Sequence, residues 1–358
     1  MTFARNHHYV PQHITKSFAD DRKQVFCYNK RTGNSYRTHT KNVFVERDFH
    51  TIDVEIDGKE FRASFEEALT RAEATYQPAL EKVLKTKNLL NLSEDEQLHL
   101  CVMVAFQFLR SKSFREGFER VSEDLRTQIK EKFPNADLPE ELTPLDDAQT
   151  KLMQLKFLRE GLPDLAKSLF EDKYMFFYKA PKDEPFIVGD NPSVMDNIVD
   201  HSPRGSLGWN VYGILITMPI SPELCIAFWC KKFVDNIEQD IGETVSLLDN
   251  FRRARKKALK SGRKIDVPTE VKEATKLVSA TQRILRDVRV RKFTYLKPEN
   301  VVYQNSLQIA AASRAIVSSK DNFLLAKEMI DDDESIKYSF GYKAQKPKKG
   351  TWSIPGKP

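Results

Sequence analysis

The sequence contains no long hydrophobic run and no recognisable export signal. No apolar stretch in its 358 residues approaches the roughly 20 residues that a membrane-spanning helix needs. The best candidate, residues 98–109, includes His99 and Gln107. The N-terminal residues also lack the apolar core of a signal peptide. We therefore expect a soluble cytoplasmic protein without a membrane partner.

Cysteine and glycine are also scarce. The four cysteines form neither a CxxC pair nor a zinc-ligand spacing, so we expect reduced thiols in the core or in strands. The 13 glycines include neither of the two common glycine-rich nucleotide-binding patterns. The sequence therefore gives no support to a nucleotide-binding loop of those types.

Apolar material and positive charge are both plentiful. Hydrophobic residues make up 40% of the chain, which is enough for one large domain or two intimately packed ones. The net charge of +6 permits a polyanionic partner such as a nucleic acid without requiring one. Lysines in the segment 333–358 contribute much of this charge, in a setting more typical of a solvated end than of a nucleic-acid arm.

The hydrophobic pattern changes along the chain from strands to helices, then to strands and helices again. This order predicts an α+β fold with an N-terminal β-hairpin region and a central mixed or antiparallel sheet packed with long helices. We expect the central strands to join the N-terminal ones in one sheet, within one integrated domain. The predicted elements are strands 24–29, 35–40 and 48–56 in the segment 1–62; helices 63–84, 93–132, 147–160 and 163–170 in 63–172; strands 173–178, 185–188, 213–218 and 224–229 in 173–232; and helices 234–260, 270–286, 298–318 and 320–329 in 233–332.

The densest group of potential catalytic side chains lies at residues 6–12, which read NHHYVPQ. Three of the seven histidines, His7, His8 and His13, lie within seven positions. Pro11 disfavours helix in the residue before it, so the segment is predicted to be extended. Neighbouring side chains of a strand point to opposite faces. One histidine could therefore bind a metal ion while the other transfers a proton, or one could simply pack in the core.

Residues 42–50 supply an amide, two carboxylates and another imidazole. With the double histidine they are similar to the metal-dependent nucleases of the HNH type. That similarity implies metal ligands at His7 and His50, a general base at His8 and an orienting amide at Asn42. A divalent cation (Mg²⁺, Mn²⁺ or Zn²⁺) would neutralise the phosphate while the neutral imidazole takes a proton from water.

Three further groups of polar residues have two interpretations each. Asp190 and Asn191 follow an apolar strand, where they form either a site or an ordinary turn. Gln107 and Arg110 share one side of an apolar helix and need buried partners such as Glu46 or Asp190, unless they mark its surface edge. Asn305 lies in a predicted helix, as either an interface residue or a site residue.

In combination these motifs resemble the uncharacterised, mostly bacterial domain-of-unknown-function 4238 family. The resemblance implies a shared fold over nearly the whole chain but no established reaction, and it is compatible with a role in phage defence. It rests on residues 7–12, Asn42 with residues 46–49, Gln107 with Arg110, residues 189–192, residues 219–222, and Asn305 with Arg314.

Three functions remain open. The first is a metal-dependent nuclease or phosphodiesterase with a composite site around His8. The second is a non-catalytic binding or interaction protein whose polar motifs form a buried network. The third is a metal-free enzyme in which His8 is acid or base and Arg110 holds a phosphate. The first hypothesis assigns catalysis to His8, His7, Asp190 and Arg110, metal binding to His7, Glu46 and Asp48, and support to Gln12, Asn42, Gln107, Asn191 and Asn305.

Overall fold

The computed structural model describes residues 5–134, 142–199, 207–290 and 293–338. Helices and mostly antiparallel sheets in these ranges confirm the α+β class. No helix within the same ranges is both long and apolar enough to cross a bilayer. All four cysteines are buried free thiols.

The N-terminal segment consists of short strands. The second and third form the predicted hairpin, and Gly33 supplies the left-handed backbone, with φ of 74°, that its turn requires. The elements are β1 (Asn6–His8), α1 (Gln12–Lys16), β2 (Gln24–Asn29), β3 (Asn34–His39), a 3-10 helix (Thr40–Asn42), β4 (Val45–Arg47), β5 (Thr51–Ile56) and β6 (Lys59–Ser64).

Five helices follow, and one predicted boundary is wrong. The pattern Ser-x-x-Glu at residues 93–96 predicts a capping box, and the structure confirms it, because each side chain accepts the other residue's backbone N–H. The helix that it opens does not run to residue 132, since the backbone of Ser111 is extended and its hydroxyl caps a new helix by accepting from Phe114 N–H. The helices are α2 (Glu66–Thr86), α3 (Glu94–Arg110), α4 (Lys112–Lys132), α5 (Asp147–Glu160) and α6 (Leu162–Asp172).

The remainder of the chain carries the central strands and the C-terminal helices. The predicted helix over residues 298–318 ends at Ala311, and its last residues form a strand instead. The elements are β7 (Lys173–Lys179), β8 (Val188–Gly189), β9 (Val194–Asn197), β10 (Ile214–Pro219), β11 (Leu224–Cys230), α7 (Lys231–Lys260), α8 (Thr269–Arg289), β12 (Phe293–Tyr295), α9 (Pro298–Ala311), β13 (Ala315–Ser318), α10 (Leu324–Asp332) and a 3-10 helix (Glu334–Lys337).

The strands form two larger sheets and two pairs, and the expectation of one continuous sheet is wrong. One sheet has the order β12-β7-β11-β10-β9, and the other has the order β3-β2-β13-β8. Strand β13 separates the hairpin from β8, which is the one central strand of the described chain that joins the N-terminal sheet. The two pairs are β1 with β4 and β5 with β6.

Helix α3 lies in the core, as its apolar character on nearly every side predicts. The largest apolar cluster combines Val10 of the N-terminal segment, Val104 of α3 and Ile226 of β11. The N-terminal motif is therefore packed against both the helices and the central sheet. Helices α7 and α8 pack together as a long hairpin.

Candidate functional site

His7 is a residue of β1, and its side chain is fully buried against His50 in the chain that follows β4. Its Nδ1 accepts the backbone N–H of His50 at 2.8 Å, and the two imidazole rings stack with centroids 5.6 Å apart. The two histidines that were predicted as metal ligands therefore lie together. The contact between them is a ring stack and a bond to main chain, which is what packing histidines do.

Glu66, the first residue of α2, approaches this stack. Its Oε2 lies 3.7 Å from Nε2 of His50. Burial raises the pKa of Glu66 to about 7, and the nearby Arg110 opposes that shift. Burial, together with Arg110, holds the pKa of His50 well below its usual value. Both groups therefore favour their neutral forms near neutral pH.

His8 is half-buried, and its imidazole is held by two hydrogen bonds. Nδ1 lies 3.1 Å from the carbonyl oxygen of Val43, and Nε2 lies 2.8 Å from the amide nitrogen of Gln12. A carbonyl can only accept and an amide nitrogen can only donate, so the proton is on Nδ1 and Nε2 is the acceptor. Burial lowers the pKa of His8, with Arg110 and Lys16 acting in the same direction. The imidazole is thus a neutral base whose lone pair is directed at Gln12.

Two side chains of α3 hold the main chain next to His8. The amide of Gln107 donates to the carbonyl oxygen of Tyr9 at 3.0 Å, and the guanidinium of Arg110 donates to the carbonyl oxygen of His8 at 2.5 Å. Arg110 also forms a buried ion pair with Glu73. The sequence correctly placed Gln107 and Arg110 on one side of the helix. Their contacts run to backbone rather than to the imidazole.

The proposed metal ligands His7, Glu46 and Asp48 do not converge. Glu46 lies opposite His7 in the strand pair, but its carboxylate bonds Lys112 at 2.6 Å. The carboxylate of Asp48 forms ion pairs with Arg62 at 2.6 Å and with Arg5 at 3.1 Å. Among the described residues, no group of three His, Cys, Asp or Glu side chains is placed to share a metal ion.

The predicted role of Asn42 as the orienter of His8 is also wrong. Asn42 is exposed, and its amide donates to the hydroxyl of Thr38 at 3.2 Å. The neighbouring carbonyl of Val43 holds the imidazole instead. A backbone group satisfies the ring nitrogen without any particular residue type, so the sequence carries no signal for this contact.

Asp190 and Asn191 form a second cluster at the end of α9. The fully buried carboxylate of Asp190 accepts the backbone N–H groups of Ser313, Arg314 and Ala315 at 2.6, 2.8 and 3.1 Å. The amide of Asn191 donates to the carbonyl oxygen of Ala311 at 2.6 Å. Burial raises the pKa of Asp190, and Lys30 with the three N–H donors opposes that shift. These residues fix the corner between α9 and β13.

Helix α9 reaches back to the chain around β8 through two amides. Asn305 accepts the N–H of Ile187 at 3.1 Å and donates to the carbonyl oxygen of Pro185 at 3.0 Å. Gln308 accepts the N–H of Gly189 at 3.0 Å and donates to the carbonyl oxygen of Pro192 at 2.9 Å. Each side-chain amide thus accepts one backbone N–H and donates to one backbone carbonyl, as a residue of a neighbouring strand would do.

Sequence reasoning missed several residues of these clusters. Gln308 could have been found, since it follows Asn305 by three positions and so shares its helix face. Lys30 could not, because a single lysine after a strand reads as a surface residue. It is instead buried, and its ammonium donates to the carbonyl oxygens of Ile309 and Ala312 at 2.5 Å each. That contact places a cation at the C-terminal end of α9, where the helix dipole favours one.

A family model described as a protein of unknown function (DUF4238) matches residues 6–322. The chain belongs to the DUF4238 family. No curated protein and no solved structure matches it.

In this DUF4238 protein, most residues of the predicted composite site lie in two clusters, whereas the side chains of Glu46, Asp48 and Asn42 make their contacts outside them. Gln12 and His8 bond through their side chains, and Gln107 and Arg110 bond the main chain beside them. The second cluster, at the end of α9, has the members Asp190, Asn191 and Asn305. Burial, with the charge of Asp190 acting in the same direction, raises the pKa of Tyr9, so its phenol stays neutral.

Proposed function

We propose that this DUF4238 protein is a non-catalytic binding protein whose polar motifs form an internal framework. The observation that carries the proposal is the direction of the motif hydrogen bonds. The main chain is the partner of every one of the following side chains, which we call the polar framework: His7, Gln107, Arg110, Asp190, Asn191 and Asn305.

The energetics favour a stabilising role for the polar framework. A buried donor or acceptor that loses its partner costs about 1–3 kcal/mol. Gln107 and Arg110 satisfy carbonyl groups in the N-terminal motif, and Asp190 satisfies three N–H groups that no strand partner covers at a helix end. The atoms of these side chains that bond the main chain are not available to a substrate, although Oε1 of Gln107 and Nε of Arg110 are buried without a hydrogen-bond partner among the described residues.

A second function is favoured by one specific feature, the half-buried neutral imidazole of His8. Its tautomer is fixed by Val43, and the lone pair on Nε2 becomes available once a ligand displaces the amide of Gln12. This geometry suits a general base in phosphodiester hydrolysis assisted by Mg²⁺, Mn²⁺ or Zn²⁺. Under this alternative the protein is a cytoplasmic nuclease, with phage defence as its context.

One panel of variants separates the two functions. Gln107→Met removes a framework bond with little change of volume, His8→Ala removes the base, and His99→Ala is the control for loss of a histidine elsewhere. Thermal unfolding is measured beside hydrolysis of labelled DNA and RNA with each of the three metal ions. The binding proposal predicts that Gln107→Met lowers the Tm by several degrees, and that no hydrolysis depends on His8.

The opposite pattern would overturn the proposal. Hydrolysis by the wild type that His8→Ala abolishes and His99→Ala preserves would establish the nuclease function. An unchanged or raised Tm in His8→Ala would agree with it, because catalytic residues are often replaced without loss of stability. A Tm unaffected by Gln107→Met would show that the framework bond carries no stability.

A further inference from the structure

The end of the α7–α8 hairpin carries an unusual concentration of positive charge. Residues 252–276, which we call the basic tip, contain ten lysine and arginine residues against three acidic ones, a net charge of +7. The whole chain has a net charge of +6. The net charge of the basic tip therefore exceeds that of the whole protein, and the rest of the chain has a net charge of −1 despite the lysines of residues 333–358.

The charge of the basic tip is exposed and poorly neutralised within the described chain. Nine of the ten cationic residues are exposed, and Arg255 is half-buried with its Nε donating to the carbonyl oxygen of Ile265 at 3.0 Å. In the described residues, one ion pair involves the tip, between Arg252 and Asp249 at 2.9 Å. Mutual repulsion among so many cations destabilises the isolated surface and favours a polyanionic partner.

A cleft between the two helices organises part of this charge. It has a volume of about 500 Å³. Its apolar lining comes from Phe251, Leu259, Val267 and Val271, and basic side chains surround it. Arg252 with Lys256 on α7, and Lys272 with Lys276 on α8, are each spaced by four residues, a rise of about 6 Å. Each wall therefore presents a pair of cations in line.

We propose that the basic tip binds the phosphodiester backbone of a nucleic acid. The inference rests on the proposed binding function and names its partner. Rows of exposed lysine and arginine are the electrostatic footprint of nucleic-acid binding, and an apolar cleft with an aromatic residue can receive an unstacked base. An anionic membrane fits less well, because a membrane-bound helix needs a continuous exposed apolar face, and Leu248 and Val278, apolar residues of the two helices, are buried.

The test is fluorescence anisotropy with labelled 30-nucleotide single-stranded DNA, duplex DNA and single-stranded RNA. It uses the full-length wild type and two variants that each lose four positive charges. The tip variant carries Arg253→Gln, Lys257→Gln, Lys264→Gln and Lys272→Gln. The matched control carries four replacements of exposed lysines on other helices, Lys85→Gln, Lys130→Gln, Lys132→Gln and Lys156→Gln.

We expect the tip variant to bind at least tenfold more weakly than the wild type in 100 mM salt, and the control to remain within about twofold. The dependence of log Kd on log salt should become shallower by up to about 3.6, since each of four lost phosphate contacts removes roughly 0.9 for duplex DNA. The three oligonucleotides identify whether DNA or RNA is the preferred form.

Three results would overturn the inference. These are equal losses in both variants, a tip variant that binds like the wild type, and a wild type that binds vesicles of anionic phospholipid but none of the oligonucleotides at micromolar concentration. Circular dichroism establishes that both variants are folded. This readout is independent of the stability panel. A tip that does not bind nucleic acid would not contradict the polar framework, and an unchanged Tm in Gln107→Met would not contradict nucleic-acid binding by the basic tip.

Discussion

Single buried polar side chains in this protein act mainly on the backbone. The carboxylate of Asp190 accepts three consecutive N–H groups, and Arg110 connects an ion pair with Glu73 to the carbonyl of His8. Their chemical types are those of an active site, which is why the sequence suggested one. The same types are required wherever main chain is buried without a strand or helix partner.

The burial of Glu66 beside His50 makes stability depend on pH. The folded-state pKa of Glu66, about 7, lies above the unfolded value near 4.5, so the folded state binds more protons between these values. Its contribution is therefore fully present below pH 4.5 and is lost as the pH rises through about 7. Glu66→Gln should raise the Tm more at pH 8 than at pH 5.

The control for that measurement is Glu67→Gln, on the exposed neighbour of Glu66. It should shift the Tm by the same small amount at both pH values. A Glu66→Gln variant whose Tm change is equal at pH 5 and pH 8 would contradict the raised pKa. The histidines act in the opposite direction: the pKa of His13 is lowered to about 4, so its contribution is lost as the pH falls from about 6.5 towards 4.

At the residue level, the sequence predicted which side chains matter better than it predicted their partners. The need of Gln107 and Arg110 for buried partners follows from their place on an apolar helix, and that need is met. The carbonyl groups of Tyr9 and His8 that meet it could not be foreseen, because every residue has a carbonyl. The metal set with Asp48 failed for a related reason, since arginines distant in sequence surround it.

The secondary-structure elements show where local pattern was sufficient. The capping box at Ser93 and the Gly33 hairpin are encoded within a few residues, and both were predicted correctly. The end of α9 is set instead by Asp190, whose carboxylate holds the N–H groups of residues 313–315. A carboxylate more than a hundred residues away does not change the hydrophobic pattern of residues 298–318. The pattern therefore predicted helix where the structure has strand β13.

The close contact of β8 with α9 gives a prediction at this scale. A Cβ at Gly189 would lie 3.0 Å from the carbonyl oxygen of Gln308 and 3.1 Å from Cβ of Ala312. Gly189→Ala should therefore lower the free energy of unfolding by about 1–3 kcal/mol, because the helix must move away from the strand. Urea denaturation measures the change.

The matched control is Gly242→Ala in α7, where the added Cβ meets no atom within 4 Å. Alanine in an exposed helix should raise the free energy of unfolding by up to about 1 kcal/mol. Two substitutions of the same kind are thus expected to have opposite signs. A Gly189→Ala variant as stable as the wild type would show that α9 is not held tightly against β8.

Over the whole molecule, the two proposals fall on different parts. The polar framework joins the N-terminal motif to α3 and the central chain to α9, so its residues lie within the packed body. The basic tip lies at the end of the α7–α8 hairpin and holds the net positive charge. The overall charge of the sequence permitted a polyanionic partner. The lysines of residues 333–358, which stand next to glycine and proline, were the only basic segment considered at that point, and the basic tip was missed.

The most direct test of the polar framework is hydrogen–deuterium exchange in Asp190→Ala. The amides of Ser313, Arg314 and Ala315 should exchange at least tenfold faster than in the wild type, and the free energy of unfolding should fall by about 2–3 kcal/mol, since one buried and two partly buried N–H donors lose their acceptor. Asp321→Ala, at an exposed position, should change neither. Unchanged exchange and unchanged stability in Asp190→Ala would contradict the claim that these motifs hold the fold together.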